Sequence, residues 1–87
     1  MYRVRFLDTA SKQLAVLDKP VARRIVERVQ WLAENLADAN FEALTGNFEG
    51  LFKLRVGDYR VVYEPIHDEQ LIIVHVIGHR REIYRRR

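Results

Sequence analysis

The chain contains no cysteine. This excludes a disulfide staple and a thiolate metal site, and it suits a reducing compartment. A long apolar run is also missing. The longest, Leu71 to Ile77, is interrupted by His75 and falls far short of the ~20 residues of a membrane-spanning helix. No charged-then-apolar leader opens the sequence, so no signal peptide is expected. There is no repeat, no low-complexity stretch and no adjacent pair of histidines. At 87 residues the chain reads as one domain over 1–87, soluble and cytoplasmic, with no metal or cofactor and no membrane partner expected. A domain this small buries only about 60–65% of its unfolded surface, so its core is small.

What is present in excess is positive charge, and its placement matters more than the net +3. The segment from Phe52 to Tyr63 has two alternating runs flanking Gly57-Asp58, a type II′ hairpin signal. With those two residues as the turn, Val56 faces Tyr59, Arg55 faces Arg60, Leu54 faces Val61, Lys53 faces Val62 and Phe52 faces Tyr63. Side chains alternate between the faces of a strand. One face therefore collects Phe52, Leu54, Val56, Tyr59, Val61 and Tyr63. The other collects Lys53, Arg55, Arg60 and Val62. Like charges directly opposite one another destabilise a sheet, by about 0.2–1 kcal/mol. Either this is a solvated face of long polar side chains, or an anionic ligand explains the arrangement.

The rest of the chain supplies a frame for that hairpin. Tyr2 to Leu7 reads as a first strand with Val4 and Phe6 on one face. Asp8 or Thr9 can cap a short helix carrying Ala10, Leu14 and Leu17 at helical spacing. Pro20 suits the first residue of a second helix, preceded by Asp18 or Lys19. In that helix Val21, Ile25, Val29, Leu32 and Leu36 form an amphipathic stripe, with Arg23, Arg24, Glu27, Arg28 and Glu34 mostly off it. Trp31 lies off the stripe's centre and is expected to flank a helix–helix or helix–sheet contact rather than to stack on a base. Asp38-Ala39-Asn40 is expected to end the helix, and Phe41 to Asn47 to connect it to the hairpin. Glu64-Pro65 should end the second hairpin strand and His67-Asp68-Glu69 make the next turn. Leu71 to Ile77 is so apolar that it should be a central strand covered on both faces, broken by Gly78. The expected class is α+β, in the order β-α-α-β-β-β with a short C-terminal helical tail. Two N-terminal helices would pack on one face of a mainly antiparallel twisted sheet.

A second constellation follows the last strand. Gly78 to Arg87 carries Arg80, Arg81, Arg85, Arg86 and Arg87 against Glu82 alone. Arg86 and Arg87 read as a solvated tail. His79 gains or loses a proton near neutrality, Arg80 can grip a phosphate in bidentate fashion, and Tyr84 can stack on a base. With Lys53, Arg55 and Arg60 they compose a cation-rich site with one titratable group and one aromatic, a combination that suits RNA better than a small neutral ligand.

The stretches Leu51 to Glu64 and Val76 to Tyr84 together resemble the RelE-type toxins of toxin–antitoxin pairs, within the wider RelE/ParE superfamily. Leu44-Thr45-Gly46 is similar to the segment that precedes the hairpin there, and the likeness covers nearly the whole chain. The resemblance implies a ribosome-dependent mRNA endonuclease that cuts in the A site through 2′-hydroxyl attack and inhibits translation. It implies functional roles at Lys53, Arg55, Arg60, Arg80 and Tyr84; Arg81, immediately after the last strand, is read from its position as a further RNA contact. It also implies a cognate RelB-like antitoxin, the ribosome and mRNA as partners, and operator DNA only as a complex with the antitoxin. The second hairpin cation is lysine in familiar members and Arg55 here. Arginine stays protonated, so a base role would pass to Lys53 or His79. Two alternatives share the fold: a ParE-like toxin that acts on DNA gyrase without cutting nucleic acid, and a catalytically inactive nucleic-acid-binding member.

Overall fold

The computed structural model describes residues 1–36, 42–43 and 50–79, for 42–43 the backbone alone. Strand β1 (Arg3–Phe6) leads into helices α1 (Asp8–Ala15) and α2 (Lys19–Asn35). Strands β2 (Glu42–Ala43), β3 (Phe52–Val56), β4 (Tyr59–Ile66) and β5 (Leu71–His79) follow, with a 3-10 turn at His67–Glu69 between the last two. The five strands form one sheet in the order β1-β5-β4-β3-β2. All neighbours are antiparallel except β1 and β5, which run parallel from Arg3↔Leu71 to Phe6↔Val74. The class is α+β, as expected.

The helices begin as their sequences direct, with one change. Pro20 stands in the first turn of α2 after Asp18 at the N-cap, where its missing N–H leaves no bond unmade. In α1 the N-cap is Leu7 and Asp8 is already helical. Asp8 therefore acts through its charge near the positive helix end rather than as the capping side chain. Ile25, Val29, Leu32 and Leu36 of the expected stripe are all buried. They meet Leu54, Val56, Val61, Tyr63, Ile72, Val74 and Ile77 from one face of the sheet. Each fully buried aliphatic side chain contributes roughly 1.5–3 kcal/mol. Trp31 lies at the edge of the packed surface rather than in the core. It is 38% exposed and carries the Arg28 guanidinium over its ring.

Two strand ends differ from expectation, and so does the cover of one strand. Strand β4 runs through Pro65 to Ile66. Strand β3 pairs with it only as far as Tyr63, so among the described residues Pro65 stands where β4 has no neighbour on that side, the setting in which a strand tolerates proline. Strand β5 runs through Gly78 to His79, because Arg60 and Tyr59 of β4 still pair with those two residues. And β5, though central, is covered unevenly: Ile72, Val74 and Ile77 are buried on the helix face and Gly78 on the other, while Leu71, Ile73, His75 and Val76 are half-buried. Strand β2 was not expected, since two residues carry no alternation to read. The expected helix end at Asp38-Ala39-Asn40, most of the Phe41 to Asn47 connector and the helical tail lie outside the described residues. Among the described residues, no helix is long and apolar enough to cross a membrane.

Candidate nucleic-acid interface

The hairpin of β3 and β4 has the expected register, residue for residue, from Phe52↔Tyr63 to Val56↔Tyr59. Gly57 has φ +62°, and Asp58 is not in the positive region. A positive φ at the first turn residue alone is the type II′ pattern. In a two-residue hairpin the pair flanking the turn exchanges hydrogen bonds, so the next pair out, Arg55 and Arg60, does not. Their Cα atoms are then only about 4.5 Å apart, the closer of the two antiparallel spacings.

The two arginines nevertheless differ in setting. Arg55 is exposed and Lys53 half-buried, while Arg60 is only 6% exposed. The guanidinium of Arg60 turns back along the hairpin. Its Nη1 donates to the Tyr59 carbonyl at 3.2 Å and reaches the Gly57 carbonyl at 3.5 Å. Its Nε is buried and has no hydrogen-bond partner among the described residues. A buried donor left unmatched costs about 1–3 kcal/mol. Its neighbour in β5 is Gly78, which has no side chain to cover it. Lys53, Arg55 and Arg60 thus share the sheet face turned away from the helices, with Val62 between them.

The helix side of the same strands is different in kind. Tyr63 is fully buried, its ring stacked on Phe52 at 5.9 Å, and burial pushes its hydroxyl up to about 12. His79 pairs in register with Tyr59 and meets its ring edge-on at 5.6 Å. Tyr59 packs against the core. Residues paired across an antiparallel ladder point to one face, so His79 stands on the helix side and not among the cations. The sequence placed it with them because Gly78 was read as the end of the strand. Continuing the strand by one residue reverses the face.

Arg80, Arg81 and Tyr84 lie outside the described residues. Two features gave no signal in the sequence. One is the His75–Glu64 pair, 3.0 Å apart on the open face. It exists because β5 carries an irregularity: Val76 pairs with Val62 and Val74 with Tyr63, leaving His75 as the extra residue of a bulge. The other is Arg24 of α2, whose Nη1 lies 3.5 Å from where a Cβ on Gly57 would sit. Among the described residues, no group of three or more His, Asp or Glu is placed to hold a metal ion.

Known proteins align with this arrangement over most of its length. The family model for the ParE toxin of the type II toxin–antitoxin system parDE matches residues 4–84. A RelE-like toxin protein of Escherichia coli is 31% identical over 83 residues, spanning 93% of this chain and 84% of its own. Among solved structures, the RelE–RelB complex of Pyrococcus horikoshii matches at 30% identity and a TM-score of 0.72, covering 91% of this chain and 94% of that one. The RelBE2 toxin–antitoxin complex of Mycobacterium tuberculosis matches at 26% identity and a TM-score of 0.81, covering 91% and 98%.

Proposed function

The chain belongs to the RelE/ParE superfamily of toxins of type II toxin–antitoxin systems, and from that premise we propose that it is a ribosome-dependent mRNA endonuclease that cuts in the A site. The observation that carries this reading is Arg60: a nearly buried cation set against Arg55, beside Lys53, on the sheet face opposite α1 and α2. Like charges directly opposite one another cost the sheet stability, and a phosphate between them would offset that cost. Guanidinium groups match phosphate oxygens in geometry and charge.

In the proposed reaction the 2′-hydroxyl of the message attacks the adjacent phosphorus. The O2′–P bond forms as the P–O5′ bond breaks. A base takes the 2′ proton and an acid returns one to O5′. Arg55 and Arg60, with Arg80 from the tail, stabilise the charge that develops on the non-bridging oxygens. Lys53 is the favoured base, since it shares the face of Arg55 and Arg60 while His79 stands on the other. Tyr84 stacks on a nucleotide and assists proton transfer. With no adjacent histidine pair, the chain relies on the ribosome to organise the substrate, and free RNA is a poor substrate.

Replacing Lys53 by Ala is expected to lower cleavage on programmed ribosomes by about 10²–10⁴-fold, the range for a general base, while His79→Ala leaves the rate within a few-fold. The reverse order would move the base to His79. A cognate RelB-like antitoxin is the proposed partner in the resting cell, supported by the RelE–RelB and RelBE2 complexes that this fold matches. The match to the ParE model favours one other reading, action on DNA gyrase without cutting nucleic acid. Loss of supercoiling by gyrase in the presence of the chain, with messages left intact, would establish that instead.

A further inference from the structure

The outward flank of α2 carries a stripe for which the cleavage reading has no use. Arg24, Arg28, Trp31 and Asn35 follow one another at spacings of four, three and four, which aligns them along one side of the helix. The two acidic residues of α2, Glu27 and Glu34, fall about 70–90° round from its centre at 100° per residue. The Arg28 guanidinium carbon lies 4.5 Å from the centroid of the Trp31 ring, well inside cation–π range. The Asn35 amide donates to the Trp31 carbonyl at 2.8 Å. Trp31 is 38% exposed, among the few large apolar side chains open to solvent.

This stripe is continuous with the cation face. The Arg24 guanidinium lies against Gly57 at the hairpin turn, and the carbonyl of the same Gly57 faces Nη1 of Arg60. Gly57 is thus the joint between two sets of cations, one on the open sheet face and one on the helix. An exposed aromatic flanked by arginines, in line with a phosphate-binding face, is how single-stranded nucleic acid is held: cations follow the backbone and a base stacks on the ring.

We propose that the Arg24–Arg28–Trp31 flank is a second RNA contact, in which Trp31 stacks on a base, Arg24 and Arg28 hold phosphates, and the strand continues past Gly57 toward Arg55 and Arg60. The proposal rests on the cleavage reading for the choice of RNA over other polyanions. An acidic protein segment is the competing occupant. It would use the charges of Arg24 and Arg28 and make no use of the exposed part of the ring.

Trp31 is the chain's single tryptophan, so fluorescence excited to the red of tyrosine absorption reports this flank alone. The whole chain is titrated with a single-stranded oligoribonucleotide of about a dozen nucleotides, a span typical of such sites. Saturable quenching is expected. In Arg24→Ala/Arg28→Ala the slope of log affinity against log salt should fall by about 1.4, at roughly 0.7 per phosphate contact on a single strand. Arg24→Lys/Arg28→Lys should restore it, and Arg23→Ala, one position off the stripe, should leave it as in the parent. Absence of quenching, an unchanged slope in the double alanine variant, or equal quenching by poly-glutamate would overturn the proposal. Arg60→Ala separates the two readings. It should lose cleavage on ribosomes yet keep the quenching of Trp31, so either reading can fail while the other stands.

Discussion

Arg60 and Tyr63 stand three residues apart on one strand, and each is buried at a cost. For Arg60 the cost is a like charge across the ladder and a buried Nε without a partner among the described residues. An apolar side chain of similar length should therefore be tolerated better than the native one, as often happens when buried charge is replaced. Arg60→Met is expected to raise Tm by about 4–8 °C if it relieves ~1 kcal/mol in a chain of this size, while abolishing activity. A thermal unfolding curve shifted downward would mean that the guanidinium is held for packing. For Tyr63 the cost appears in alkali. Its folded value of about 12 stands above the ordinary 10.0 because burial disfavours the phenolate. The unfolded chain thus loses this proton first. The contribution is complete below pH 10 and is lost as pH rises from 10 to 12, a change on the order of 2–3 kcal/mol. Urea unfolding across that window should show the loss in the parent chain, and Tyr63→Phe should lack this component.

The hairpin was the most legible element because everything that fixes it is local. Gly57-Asp58 sets the turn, alternation sets the faces, and the register follows. Gly57 is required by its φ of +62° rather than by space, since an added Cβ would meet only Arg24 Nη1 at an ordinary 3.5 Å. Gly57→Ala should therefore cost about 1–2 kcal/mol of backbone strain, read as a lower urea midpoint. An unchanged midpoint would mean that the turn relaxes to another type. The helices were legible for a similar reason: Ile25, Val29, Leu32 and Leu36 repeat at the helical period and Pro20 marks the start. What escaped depended on distant partners. Nothing near Arg3 announces a parallel neighbour at Leu71. Nothing near Gly78 announces that Arg60 will keep the strand paired, and that one added residue moved His79 to the other face. The contact of Arg24 with the turn is a product of helix–sheet packing and leaves no local trace. Truncating the stripe itself, Leu32→Ala, should cost about 2–5 kcal/mol by the same unfolding measurement.

At the scale of the whole molecule the design is two-layered and one-sided. Among the described residues, α1 and α2 cover one face of a mixed sheet, and the opposite face carries Lys53, Arg55 and Arg60. On β1, Val4 and Phe6 pack against the core while Arg3 and Arg5 are exposed, so this face carries cations on β1 and on the β3–β4 hairpin, with the His75–Glu64 pair between them. Such a face suits a polyanion whose shape is already set, and the ribosome presents a message in that way. The central claim is that the Arg55–Arg60 juxtaposition exists to stabilise charge at the scissile phosphate. The most direct measurement mixes purified chain with ribosomes stalled on a defined message and maps the 5′ ends that appear, for the parent and for Arg60→Ala. The account predicts cuts within the A-site codon by the parent and a loss of about 10²–10³-fold in the variant, the usual worth of one preorganised oxyanion contact. Equal cleavage by both proteins, or an intact message with the parent, would contradict it.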